Sequence, residues 1–218
     1  MQIELFPYER RALEALEPAF ALEKETAVGF ALSLNRIRRL FETVIGGPED
    51  EFRGGRVVMM GLINHAHHLL AGGLQALEVG NGVVWSACVR GLIETFGACV
   101  IISEKPDTVT NHLERVSPKK LYDAAERGSP GLGGDVKRLH QIVHPASGAI
   151  YSGFTVADGK ERSVNFKLGL RQIEPNEGRE GVTMLANLAG LLEEKLAVLV
   201  NDPKVLLAGK PVLIRREA

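Results

Sequence analysis

The sequence predicts a mainly α protein: a single helical-bundle domain over residues 1–218 with a β-hairpin appended at about 149–168. Three observations predict it. Long stretches repeat apolar residues every three to five positions, the spacing of one helical face. One stretch, residues 82–102, carries Arg90 and Glu94 as its only charges, and a helix apolar all the way round belongs at the centre of a bundle. Convincing two-residue alternation occurs once, on either side of Asp158-Gly159, a favoured tight-turn dipeptide.

The elements follow in chain order. Over residues 18–45, Val28, Leu32, Ile37, Leu40, Phe41, Val44 and Ile45 mark a first helix, which Gly46, Gly47 and Pro48 stop. Val57, Val58, Leu62, Leu69, Leu74 and Leu77 mark a second, ending at Gly80-Asn81-Gly82. Gly61, Ala66, Gly72 and Gly73 lie within it; a mid-helix glycine costs up to about 1 kcal/mol, so close approach of another backbone is expected there. The central helix is VVWSACVRGLIETFGACVII. Pro106 and Asp107 open a shorter helix, and Ser117-Pro118 reads as the cap and first-turn proline of one ending at Gly128. After the loop GSPGLGG, Asp135 caps the short helix VKRLHQIVH, which Pro145 ends. In the hairpin, Val164, Phe166 and Leu168 alternate opposite Ile150, Phe154 and Val156. The C-terminal helix spans about 177–200 on the stripe Leu185, Leu188, Leu192, Leu196 and Leu199, and the tail 203–218 is apolar and then basic.

Lys and Arg number 26 against 27 Asp and Glu, so no net basic field holds the chain on nucleic acid or an anionic membrane. Any nucleic-acid contact is therefore local. The central stretch is long enough to span a bilayer, but its Arg, Glu, Ser, Thr and interior glycines argue against a membrane span. The N-terminal MQIELFPYERR has no basic region followed by an apolar run, so a cytoplasmic location is expected. Cys88 and Cys99 lie about 16 Å apart along one helix at 1.5 Å per residue. They cannot bridge each other, and apolar surroundings make inert thiols of them.

Arg90 and Glu94, four apart, share a helix face and can pair. They are expected to be mostly buried, either as a structural tie to neighbouring helices or as a charged pocket wall. His65 and His68, three apart, have a spacing that two zinc or iron ligands can adopt, as do His140 and His144. No Glu-x-x-His or His-Glu-x-x-His occurs, which removes the carboxylate-bridged di-metal bundle and the zinc-protease helix; no metal and no cofactor are expected. Gly-x-Ser-x-Gly and Walker loops are absent too.

This leaves KRLHQIVHP, the one local cationic cluster that also holds groups able to move protons near neutral pH, with His140 between Arg138 and His144. Together with the helical bundle, Arg90-x-x-x-Glu94 and the exit from His144-Pro145 into a hairpin, it resembles the HEPN-like superfamily, above all its uncharacterised bacterial members, over residues 57–170. In that superfamily an Arg, four to six residues and a His form a metal-independent ribonuclease site, usually completed by a second subunit. The resemblance implies a homodimer in which Arg138 and His144 meet at a groove. His144 would act as general base or acid on a ribose 2′-hydroxyl, and Arg138 would stabilise the charge on phosphorus. One position departs: Leu139 follows Arg138, where active members generally carry a polar residue.

Two other functions compete. One is a non-enzymatic interaction or scaffold bundle whose apolar arm, residues 205–214, docks on a protein partner or on its twin. The other is a small-molecule or metal pocket between helices, walled by His65, His68, Arg90, Glu94 and His144.

Overall fold

A computed structural model describes residues 4–47, 52–106, 109–110, 116–132, 154–156, 164–166 and 173–212. The described chain is mainly helical. Its seven helices are α1 (Pro7–Ala19), α2 (Lys24–Ile45), α3 (Gly54–Glu78), α4 (Gly82–Glu104), α5 (Pro118–Gly128), α6 (Pro175–Val200) and α7 (Pro203–Leu206). Two three-residue strands, Phe154–Val156 and Val164–Phe166, pair antiparallel with Phe154 opposite Phe166. The rest of the hairpin expected over 149–168 lies outside the described residues, and the described core is built from helices and their connections alone.

Four long helices, α2, α3, α4 and α6, enclose that core, with α1 laid on α3 and α5 on α4. The fully buried Phe30, Leu34, Met59, Ile63, Leu92, Ile93 and Phe96 meet there, each contributing about 1.5–3 kcal/mol by leaving water. The α6 stripe of Leu185, Leu188, Leu192, Leu196 and Leu199 is buried as the spacing predicts. One polar clamp joins α6 to α2: Ser33 Oγ and Arg36 Nη1 donate to the two Glu193 carboxylate oxygens at 2.8 and 3.0 Å. Among the described helices α4 alone is long and apolar enough to cross a membrane, and 67% of its apolar window is buried inside the bundle.

Several expectations are corrected. Residues 18–45 are not one helix. A turn at Ala21 (φ 47°) separates α1 from α2, and α1 was not foreseen. The buried face of α2 runs through Ala27, Phe30, Ala31, Leu34, Ile37 and Val44, leaving Val28 and Ile45 exposed; the small alanines carry the phase that the larger residues obscured. In α3 the buried face is Met59, Ile63, Ala66, His67, Leu70, Leu74 and Leu77, while Val57 is exposed. The expected close backbone approach is not what these glycines meet: Gly72 faces the Cys88 side chain, Gly73 the Leu185 and Cys88 side chains, and Gly61 open space. The helix expected from Pro106 falls largely outside the described residues.

The apolar arm starts out packed on its own chain, with Leu207 and Val212 left exposed. Val205 is fully buried, and residues 208–212 fold back along the start of α3. Gly54 and Gly55 donate to the carbonyls of Lys210 and Ala208 at 3.1 and 2.9 Å, and Val212 donates to Phe52 at 2.9 Å. Gly55 is required: a Cβ there would stand 1.9 Å from the Val205 carbonyl oxygen. The arm is therefore engaged by its own chain up to residue 212; Ile214 lies outside the described residues.

Candidate functional site

A compact polar cluster among the described residues lies where α5 crosses α4. Arg90 and Glu94 occupy successive turns of α4, so their side chains run side by side. Arg90 Nε donates to Glu94 Oε1 at 3.0 Å and to the Tyr122 hydroxyl oxygen at 2.8 Å, and the Tyr122 hydroxyl in turn donates to the same Glu94 Oε1. The guanidinium also lies 6.0 Å from the centre of the Tyr122 ring. Both side chains are mostly buried as expected, with 21% of Arg90 and 27% of Glu94 left exposed. That residual exposure has a geometric cause. The α4 flank carrying Val83, Ala87, Arg90 and Glu94 faces outward, whereas residues 95–100 are enclosed on every side.

Tyr122 reaches this pair because α5 lies unusually close to α4. A Cβ on Gly97 would stand 2.0 Å from the Leu121 carbonyl oxygen, so only glycine permits that approach. At the far end of the crossing, Arg127 Nη2 and Nε donate to the two Glu104 oxygens at 2.8 and 3.2 Å. Burial, followed by the hydrogen bond to the Glu94 carboxylate, pushes the Tyr122 phenol up to about 12, so it stays a proton donor through the neutral range. Burial opposes the Arg90 charge, but the hydrogen bond to Glu94 and the neighbouring Tyr122 and Glu94 oxygens outweigh it and hold the guanidinium above its ordinary range. The cluster thus combines a fixed cation, a carboxylate and a neutral phenol at a partly wet surface. Such a set can hold a polar group by hydrogen bonds, and its phenol and guanidinium keep their protons at neutral pH.

The histidines separate. His65 and His68 are exposed on α3, away from its buried face, and among the described residues no three His, Cys, Asp or Glu side chains converge as metal ligands. Between them His67 is buried, its Nε2 lying 2.9 Å from Oε1 of Glu9 on α1, within ion-pair reach when the imidazole is protonated but without hydrogen-bond alignment. Glu9, 1% exposed, also accepts the Phe6 backbone N–H at 2.8 Å and so caps α1. The Phe6 ring meets His67 edge-on at 5.8 Å, and Arg38 sits over Phe6 at 5.2 Å. His67, Glu9 and Tyr122 are the polar residues that sequence reasoning missed. The α3 burial phase of 59, 63, 66, 70, 74 and 77 was the available signal for His67; nothing local pointed to Tyr122.

Of the expected pocket walls, Arg90 and Glu94 stand together, His65 and His68 are exposed on α3, and His144, like Arg138 and His140, lies outside the described residues. Two open clefts lie among the described residues, one of about 350 Å³ on the outer side of α6 beside Leu132, Met184 and Leu191, and one of about 420 Å³ between the ends of α1 and α3 and the start of α6. Neither is lined by Arg90, Glu94, His65 or His68. Cys88 and Cys99 are free and buried, as expected. No family model matches the chain, and no curated protein or solved structure matches it.

Proposed function

We propose that the chain is a HEPN-like protein that binds and cleaves RNA without a metal ion, through Arg138 and His144 contributed by two subunits of a homodimer. The observation that supports this reading most is a conjunction: an Arg-x5-His motif stands in the sequence of a mainly helical chain whose most apolar described helix carries Arg90-x-x-x-Glu94. The β-hairpin following His144 belongs to the same proposal. In this reading His144 takes the proton of a ribose 2′-hydroxyl, and Arg138 meets the charge that develops on the phosphate. The Arg90–Glu94–Tyr122 cluster fixes α5, from which the chain leads through Leu132 into the motif; its part is positioning, because its phenol and guanidinium hold their protons at neutral pH.

Incubating the purified protein with a mixed RNA pool in chelator tests the proposal. Cleavage by the wild type that is lost in both Arg138→Ala and His144→Ala, with helicity and melting temperature retained, is the expected result. Cleavage that survives both substitutions, or no cleavage by the wild type, overturns it. Light scattering on the same samples is expected to give twice the 23.7 kDa chain mass. A monomer that still cleaves would refute the shared site alone.

A further inference from the structure

We draw no further inference here: the strongest candidate, the cleft on the outer side of α6 beside Leu132, Met184 and Leu191, is an unpartnered apolar face, and nothing among the described residues shows what covers it.

Discussion

Two of the acid–base pairs of the bundle, Arg90–Glu94 and His67–Glu9, differ in almost every respect. The first joins residues one turn apart on one helix and keeps about a quarter of each side chain in water. The second joins two helices distant in sequence, with Glu9 all but inaccessible. A pair left partly in water costs less to desolvate than an enclosed one and contributes little by itself, so its importance lies in what it holds, namely the hydroxyl of Tyr122. A buried carboxylate is costly to leave without partners. Glu9 is supported by the Phe6 N–H within α1 and by His67 of α3, and the second support depends on α1 staying docked. The local pair organises a surface, whereas the long-range pair secures an element.

The largest effect is therefore expected at the buried pair. Glu9→Ala removes the α1 cap and the partner of His67 and is expected to cost about 3 kcal/mol in chemical denaturation. Glu94→Gln should cost about 1 kcal/mol, the worth of one partly wet hydrogen bond. Equal losses for the two would break the distinction. Next in size is Gly97→Ala, where a methyl group meets the Leu121 carbonyl; about 2 kcal/mol of strain is expected. It should also withdraw Tyr122 from Glu94, and an unchanged Tyr122 environment by fluorescence would show that the close crossing does not position the phenol.

The smallest effect is expected at the exposed Arg127–Glu104 pair. The hydrogen bond from Arg127 holds the Glu104 carboxyl below its usual range. Its contribution is thus present above the ordinary carboxylate range near 4.5 and fades as pH falls through the lowered value. Arg127→Ala should shift the melting temperature by little more than its error at neutral pH, and by less still in high salt. A large, salt-insensitive loss would move this pair into the same class as His67–Glu9.

Some of this architecture was legible in the sequence. The α4 span and the α6 stripe could be read because their large aliphatic residues repeat without interruption. The burial phases of α2 and α3 could not be read as well, since Ala27, Ala31 and Ala66 are small and Val28 and Val57, though apolar, face water. The helix α1 was hidden because Glu9, a charged residue, occupies its buried face. Of the candidate site, the Arg90–Glu94 contact follows from spacing alone. Its third member did not, because Tyr122 arrives from a separate helix through a glycine contact that no local pattern encodes. The same logic explains the histidines: spacing singled out His65 and His68, but packing selected His67.

The central structural claim is that Tyr122 donates to Glu94 and so fixes α5 on α4, and titration of that phenol tests it most directly. Since burial and the Glu94 carboxylate raise Tyr122 from 10.0 to about 12, its contribution to stability is fully present below the unfolded value of 10.0 and lost as pH rises through about 12. Ultraviolet difference titration of the wild type against Tyr122→Phe isolates this group from Tyr8 and Tyr151. Ionisation near 12 is expected in the wild type, with a clear fall toward the ordinary phenol range in Glu94→Gln, which keeps the shape and removes the charge. Ionisation near 10.0 in the wild type, or a value unmoved by Glu94→Gln, would contradict it.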